Sequence, residues 1–266
     1  MVNTVGMQHL GATWPTEVGP EVPPSRHWPP PEGWHVGVVA DTGSTNADLL
    51  GAARSGAPDR SVLVAAHQTA GRGRLDRRWE APAGANLLVS LLFREVPAHP
   101  HELTRRVALA AVEAAAATAG VTAVLKWPND LLVDGCKLAG ILAEAGGVGP
   151  DGHIDHVVVG LGMNVAWAPA GAAWLGEGLH PLVVLGALLA AFDRLPTDPG
   201  ELQQRYRANL ATLGQQVRVE QAHGVLEGRV LDVEPDGRLV VLDACATTHR
   251  LDTGDVVHLR PATWAG

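Results

Sequence analysis

The chain has 266 residues, of which 46% are hydrophobic and 18% charged, and its formal net charge at pH 7 is −8. This length fits one large domain, or a medium domain with a small one, and the apolar content excludes a disordered chain. The acidic balance argues against a protein whose main task is to grip the nucleic-acid backbone. Two cysteines far apart, Cys136 and Cys245, form no disulfide framework and are typical of a reducing cytoplasm.

The sequence divides into three predicted regions. Residues 1–34 form a proline-rich arm, because the prolines between Pro15 and Pro31 interrupt any helix or central strand. Residues 35–213 alternate strand and helix patterns and form the main domain. Residues 214–266 carry short alternating strands separated by turn residues, which predicts a small all-β domain. No run of about 18 apolar residues predicts a membrane span, and the N-terminus lacks a signal-peptide pattern.

Hydrophobic periodicity and turn residues predict the elements in chain order. Strands are predicted at 35–39, 61–67, 86–93, 121–127, 131–133, 138–144 and 155–159, and in the small domain at 217–220, 225–234, 239–243 and 255–259. Helices are predicted at 45–54, 102–119, 181–194 and 199–213. We expect Thr45 to cap the first helix, with Asp48 three residues on as in a capping box, and Gly120 to end the second.

A glycine- and arginine-rich loop, 69–76, follows the second predicted strand. Gly71 and Gly73 allow the backbone to approach a ligand closely, and Arg72 and Arg74 offer forked donors for phosphate or carboxylate groups. Taken alone, the loop also fits a solvated basic segment. Its positive charges are unusual in an acidic chain, which favours a binding role.

Three other segments carry residues suited to a polar or anionic ligand. Segment 126–130 (KWPND) precedes Lys137, whose charged end at the start of an apolar strand needs a partner that an anionic ligand would supply. Segment 160–164 (GLGMN) places paired glycines after a buried strand, where a flat ligand can lie on the backbone. Segment 44–46 (STN) stands at a helix N-terminus, which can bind a polar ligand. Each segment alone also has a purely structural interpretation.

Taken together and in this order, these segments resemble the biotin protein ligases. The resemblance rests on STN at 44–46, QTAGRGR at 68–74, the stretch 79–94, KWPNDLLVDGCKLAGILAE at 126–144 and GLGMN at 160–164. It implies an α+β fold in which a mixed, mostly antiparallel sheet is flanked by helices, with an SH3-like β-barrel at the C-terminus. Residues 35–213 are then the catalytic domain that binds biotin and ATP, and 214–266 form the barrel.

The resemblance also implies a reaction and a set of site residues. Biotin and ATP give biotinyl-5′-AMP with Mg²⁺ present, and biotin then passes to a lysine of a biotin carboxyl carrier protein domain. The implied catalytic residues are Lys137, Arg72, Arg74 and Asp130, and Asp130 is also the candidate metal ligand. The implied biotin-binding residues are Ser44, Thr45, Asn46, Gln68, Gly71, Arg72, Gly73, Arg74, Lys137, Gly140, Gly160 and Gly162. The implied ATP-binding residues are Arg74, Trp79, Lys126, Asn129, Asp130, Asn164, Trp174 and Arg260.

Bifunctional members of this family carry an N-terminal DNA-binding domain, and segment 1–34 is too short and too proline-rich to form one. We therefore expect a cytoplasmic ligase without repressor function and without DNA or membrane partners. Three alternatives stay open: a lipoyl or octanoyl transferase of the same fold, a non-catalytic biotin sensor, and an RNA-binding protein that uses the arginine-rich loop. We also expect loops 69–76 and 166–178 to be mobile without ligand and to order around the adenylate.

Overall fold

The computed structural model of the chain describes residues 30–74, 77–149, 152–221, 224–252 and 254–258. Within these ranges the helices are α1 (Thr45–Arg54), α2 (His101–Ala119), α3 (Pro181–Asp193) and α4 (Pro199–Asn209). The strands are β1 (His35–Thr42), β2 (Ser61–Gln68), β3 (Leu87–Phe93), β4 (Val124–Lys126), β5 (Asp130–Val133), β6 (Cys136–Val148), β7 (Ile154–Met163), β8 (Gln216–Gln221), β9 (Gly224–Val233), β10 (Leu239–Leu242), β11 (Thr248–Leu251) and β12 (Asp255–His258). No helix in the described part of the chain is both long and apolar enough to cross a membrane.

The main sheet has seven strands in the order β1-β2-β3-β7-β6-β5-β4. β1 and β2 are parallel, and every other neighbouring pair is antiparallel. α1 packs on one face of the sheet, where Leu49 and Ala53 bury Leu92 and Val158. α2 and α3 pack on the opposite face and form the larger core with it. The prediction of an α+β fold with a mixed, mostly antiparallel sheet flanked by helices is confirmed.

The C-terminal strands form a separate antiparallel sheet of five strands, ordered β11-β10-β9-β8-β12. Buried and exposed side chains alternate along β8, as in a sheet that packs one face inward. This sheet is the predicted C-terminal β module. The division of the chain at 213/214 stays a prediction, and most of the predicted arm 1–34 lies outside the described residues.

The predicted cap of the first helix was wrong. Ser44 is the N-cap, with extended backbone at φ −159° and ψ 124°, and Thr45 is the first helical residue. The Asp48 carboxylate accepts a hydrogen bond from the hydroxyl of Thr42 and makes no capping-box contact. The side chains of Ser44 and Thr45 are therefore available for contacts other than capping this helix.

Several predicted boundaries also differ from the structure. The strand predicted at 121–127 is only three residues long, Val124–Lys126. The helix predicted at 199–213 ends at Asn209, because Ala211 N donates to Leu125 O and the chain joins the edge of the sheet there. β7 continues through 160–162, because Gly160 and Gly162 pair with β6 and β3 and do not end the strand. The short polar strand β11 was not predicted.

A buried arginine joins α2 to the small sheet. Arg105 is 6% exposed, and its Nη2 donates to the carbonyl oxygens of Glu234 and Pro235, both at 2.7 Å. The indole Nε1 of Trp127 donates to Gly237 O in the same turn at 2.9 Å. These bonds hold the segment after β4 and the small sheet in one arrangement.

We expect Arg105→Met to lower the free energy of unfolding by about 2–3 kcal/mol, because a buried, charged donor loses its hydrogen bonds to two carbonyl groups. The measurement is urea unfolding followed by circular dichroism. Arg205→Met is the matched control, since Arg205 forms an exposed ion pair with Glu113 and such pairs contribute about 0–1 kcal/mol. Equal losses in the two variants would contradict the assigned role of Arg105.

Candidate active site

The candidate site lies on the sheet face that α1 covers only at one end. Side chains alternate along a strand, so Gly160 and Gly162 of β7 point to the same face as Val158, which α1 buries. Gly140 on β6 pairs with Gly162, and Leu142 pairs with Gly160. The three glycines keep this part of the face free of side chains. They form an open floor, defined here as Gly140, Gly160 and Gly162.

A β-bulge places Lys137 on the same face as this floor. The register between β5 and β6 shifts between Leu131 and Leu132, so that Asp130 pairs with Gly140 and Leu132 pairs with Lys137. Without the extra residue, strict alternation would send Lys137 and Gly140 to opposite faces. A Cβ atom at Gly140 would lie 3.3 Å from the Nζ atom of Lys137, which shows how closely the lysine approaches the floor.

A cavity of about 270 Å³ opens above the floor. Its size fits a small organic ligand, and Leu142, Trp79 and Ala172 give it apolar walls. The predicted site residues that line it are Ser44, Thr45, Asn46, Gln68, Arg72, Gly73, Arg74, Trp79, Asn129, Asp130, Lys137, Gly140, Gly160, Gly162 and Asn164. The fold therefore brings residues from all four predicted segments to one place.

The remaining predicted site residues are placed differently. Gly71 is buried and packs closely against the backbone of Trp79, where a Cβ atom would meet Trp79 O. Lys126 faces a much smaller cavity beside Pro128. Trp174 is 39% exposed on the segment whose Pro169 and Ala172 line the main cavity. Arg260 lies outside the described residues.

One end of the cavity is uncharged and polar. Gln68 Oε1 accepts hydrogen bonds from Thr45 N at 2.7 Å and from Thr45 Oγ1 at 3.0 Å. This arrangement turns Gln68 Nε2 away from Thr45 as a donor for a ligand. Ser44 and Asn46 are also buried at this end. The sequence missed Ser90, a fully buried serine in the apolar strand β3 that contacts Thr45 and Asn46.

The other end of the cavity is charged. Lys137 Nζ lies 2.7 Å from Asp130 Oδ1, so the structure supplies the partner that the sequence analysis assigned to an anionic ligand. Burial lowers the pKa of the Arg74 guanidinium, and the carboxylates of Asp255 and Asp130 oppose this shift. Asp255 comes from β12, forms an ion pair with Arg77 and lines the cavity, so the small sheet completes this end. The sequence analysis did not identify Asp255.

Two asparagines predicted at the nucleotide also hold the backbone around the cavity. Asn129 Nδ2 donates to Ile141 O at 2.8 Å, which ties the segment before β5 to β6. Asn164 is 3% exposed, and its Nδ2 donates to Ala173 O at 2.9 Å. Asn164 therefore anchors the segment that carries Trp174.

Trp79 rests on the glycine floor. Its ring carbons and Nε1 are the nearest atoms to a Cβ built on Gly162, and its Cζ3 is 3.3 Å from a Cβ built on Gly140. The Nζ atom of Lys137 lies 5.8 Å from the ring centre. Among the described residues, the buried Nε1 of Trp79 has no hydrogen-bond acceptor. The indole is therefore a free donor at the centre of the site.

The charged end fits a magnesium ion bound together with a nucleotide. Within the described residues no three metal-ligating side chains form a cluster. Mg²⁺ at phosphates is commonly held by only one or two protein carboxylates, with phosphates and water as the other ligands. The Asp130 carboxylate, which lines the cavity beside Lys137, matches such a donor.

Comparisons with known proteins agree with this geometry. The model of the Biotin/lipoate A/B protein ligase family matches residues 39–164, and that of the Biotin protein ligase C terminal domain matches 212–259. The biotin--[acetyl-CoA-carboxylase] ligase of Mycobacterium tuberculosis is 40% identical over 249 residues, which cover 86% of this chain and 91% of that protein. The enzyme of the same name from Paracoccus denitrificans is 33% identical over 77% of this chain and 92% of its own length.

A more distant sequence relative and a solved structure with a similar fold also match. The bifunctional ligase/repressor BirA of Bacillus subtilis is 27% identical, over 77% of this chain and 67% of that protein. The structure of biotin protein ligase from Aquifex aeolicus in complex with biotin and ATP has a TM-score of 0.68 at 22% identity, covering 85% of this chain and 99% of that one. These matches confirm the resemblance that the motifs indicate. The chain therefore belongs to the biotin/lipoate A/B protein ligase family and, within it, to the enzymes known as biotin protein ligases.

Proposed function

We propose that this chain uses ATP to activate biotin and transfers it to a lysine of a biotin carboxyl carrier protein domain. The observation that carries the proposal is the single cavity with a polar end at 44–46 and Gln68 and a cationic end at Arg72, Arg74 and Lys137. Two relatives named biotin--[acetyl-CoA-carboxylase] ligase support the carboxylase as the source of the acceptor. The A. aeolicus complex with biotin and ATP supports the choice of substrates.

The two ends of the cavity match the two ends of biotin. A ureido ring needs both donors and acceptors, and the Gln68 amide with the hydroxyls of Ser44 and Thr45 supplies them. The apolar ring and tail would then lie along Leu142 and Trp79. The carboxylate of the tail reaches the cationic end in this orientation. A lipoyl group has no ureido ring and would leave the polar end unpaired.

In the first step the biotin carboxylate attacks the α-phosphorus of ATP, giving biotinyl-5′-AMP and pyrophosphate. Both reactants are anions, so the site must screen their repulsion and align them. Arg72, Arg74 and Lys137 supply positive charge for this purpose. Lys137 leaves Asp130 to pair with the reacting carboxylate and phosphate. A magnesium ion held by Asp130 would neutralise further phosphate charge.

In the second step the acceptor lysine attacks the carbonyl carbon of the mixed anhydride, and AMP leaves. An amine with a pKa near about 10.4 must lose a proton to act as nucleophile, and the Asp130 carboxylate is the proposed acceptor of that proton. Lys137 offsets the charge that develops on the leaving AMP. Trp79 and Trp174 are the proposed contacts of the adenine ring.

We propose that the chain acts as a ligase and not as a repressor, without DNA or membrane partners. Its net charge of −8 supports this, because DNA binding depends mainly on positive charge at the phosphate backbone. Cys136 and Cys245 are exposed free cysteines, which supports a reducing compartment such as the cytoplasm.

The proposal is tested by mass spectrometry of a biotin carboxyl carrier protein domain incubated with the chain, ATP, Mg²⁺ and biotin. We expect one biotinyl group on one lysine, and none when ATP is omitted. A parallel reaction with lipoate tests the same-fold alternative, and lipoylation without biotinylation would favour it. Biotin binding without pyrophosphate release would instead indicate a sensor. RNA binding that depends on Arg74, with no adenylate formed, would favour the RNA-binding alternative.

We expect biotin and ATP together to slow proteolysis within loop 166–178. Pro169 and Ala172 of this loop line the cavity, so a bound adenylate adds contacts to a segment rich in small residues. Limited digestion followed by mass spectrometry measures the cleavage rate with and without ligands. Cleavage in the turn 235–237, which packs under Trp127, serves as the control. Equal rates in loop 166–178 under both conditions would contradict the prediction.

A further inference from the structure

We propose that Glu144 is a positioning residue for biotin: it orients the Asn46 amide at the polar end of the cavity and couples that amide to Arg72 at the charged end. The inference rests on the proposed function, since it assigns a role within the same site. Glu144 belongs to β6, where it pairs with Val158 and shares the face of the glycine floor. No sequence motif singled it out as a site residue.

The first observation is a continuous series of polar contacts along the edge of the cavity. Asn46 Nδ2 donates to Glu144 Oε2 at 2.7 Å and to Leu142 O at 3.1 Å. Ser90 Oγ donates to Asn46 Oδ1 at 2.5 Å and lies 2.7 Å from Thr45 Oγ1. Thr45 in turn contacts Gln68 Oε1. This series of contacts thus runs from Gln68 to Glu144, and the side chains that link them, Thr45, Ser90 and Asn46, are buried.

The donors and acceptors in this series of contacts determine which way the Asn46 amide is oriented. A carboxylate and a backbone carbonyl can only accept hydrogen bonds, so the atom facing Glu144 and Leu142 must be Nδ2. The Oδ1 atom then points the other way and takes the single proton of Ser90. Oδ1 also lies against Gly160, where a Cβ atom would collide with it. Glu144 thereby presents an amide oxygen at the cavity floor, where a ureido N–H can donate to its second lone pair.

The second observation links this amide to the glycine- and arginine-rich loop. Glu144 Oε1 lies 3.6 Å from Arg72 Nη2, while Oε2 holds Asn46. One carboxylate therefore contacts a residue of the polar end and a residue of the charged end. Loss of Glu144 would free the Asn46 amide to rotate, whereas the half-exposed Arg72 would lose only a weak ion pair and keep its charge at the site.

The test compares Glu144→Ala and Glu144→Gln with the wild-type chain. Titration calorimetry gives the Kd for biotin, and pyrophosphate release gives kcat and the KM values for biotin and ATP. The matched control is Glu113→Ala, because the Glu113 carboxylate is 28% exposed against 27% for Glu144 and pairs with Arg194 and Arg205 on the surface. Thermal unfolding of every variant monitors the fold.

We expect Glu144→Ala to raise the Kd and KM for biotin by about 10- to 100-fold, the loss that follows removal of a charged hydrogen bond. The KM for ATP and kcat are expected to change by less than about threefold, because the interaction acts on biotin binding. Glu144→Gln keeps an acceptor for Asn46 but loses the pair with Arg72, so its effect on biotin should lie between those of wild type and alanine. Glu113→Ala should match wild type in every kinetic parameter.

Three outcomes would overturn the inference. A Kd for biotin within twofold of wild type in Glu144→Ala shows that Asn46 needs no such support. Equal increases in the KM for biotin and ATP show general damage to the site, and so does a glutamine variant as weak as the alanine variant. In all three cases the proposed function stands if the wild-type chain makes biotinyl-AMP. A wild-type chain that neither binds biotin nor releases pyrophosphate overturns both.

Discussion

Lys137→Ala is expected to slow biotin-dependent pyrophosphate release by about 100- to 1,000-fold, the cost of losing one charged group at a centre of developing negative charge. Lys137 is the cation that the β5–β6 bulge places over the glycine floor, 2.7 Å from Asp130. In the alanine variant the biotin carboxylate and the α-phosphate meet with one positive charge fewer. The Kd for biotin should rise much less than the rate falls, because the ureido contacts at the polar end are unchanged.

The measurement is pyrophosphate release under saturating biotin and ATP, with the transfer step followed separately from supplied biotinyl-5′-AMP. Cys136→Ala is the control, because Cys136 is exposed at the start of the same strand. Lys137→Arg retains the charge on a larger, planar group and should recover only part of the rate. A Lys137→Ala variant that keeps more than about one fifth of the wild-type rate would rule out the catalytic role, since a charged donor at the reacting atoms contributes far more.

The parts of the site that the sequence could predict are those carried by short motifs. The segments at 44–46, 68–74, 126–130 and 160–164 combine glycines with polar or charged residues in patterns that local chemistry explains. The sheet pattern then follows from buried strands that alternate with amphipathic helices. The fold class and most of the residues that meet at the cavity could be stated from the sequence because these segments together resemble the biotin protein ligases, whereas each segment alone left a structural interpretation open.

The remaining features depend on strand register and on contacts between distant elements. The pairing of Lys137 with Asp130 needs a bulge that inserts one residue, and no turn residue in the sequence marks its position. Ser90 and Glu144 meet at Asn46 only because β3, β7 and β6 are neighbours in the sheet. Asp255 belongs to β12 of the five-stranded sheet. None of these contacts has a local signal, although a lone serine in the apolar run of β3 could have been noticed.

The glycines at 160 and 162 show the same limit in another way. The sequence analysis places them after the predicted strand 155–159, as a stretch of backbone on which a flat ligand can lie. The structure keeps both inside β7, opposite Gly140 and Leu142. Their absence of side chains serves the cavity: Asn46 lies over Gly160 and Trp79 over Gly162. Two positions that strand propensity disfavours therefore form the floor of the site, because they carry no side chain.

Gly162→Ala is expected to lower the rate of biotinyl-AMP formation by about 100-fold without unfolding the chain. A methyl group at this position would lie 2.5 Å from Trp79 Cε2, so the indole must move, and displacement of a positioning group by about 1 Å can cost this much. The sheet itself should tolerate alanine. Gly51→Ala is the matched control, because the space around Gly51 on α1 is open apart from the end of one arginine side chain.

Trp79→Ala tests whether the loss acts through the indole. If the methyl group acts only by pushing Trp79 away, Gly162→Ala should cost about 100-fold in the wild-type background and less than about threefold in the Trp79→Ala background. Pyrophosphate release by the two single variants and the double variant measures this coupling, and thermal unfolding confirms that each is folded. Full additivity would contradict the mechanism, because it would mean that the methyl group slows the reaction without acting through the indole.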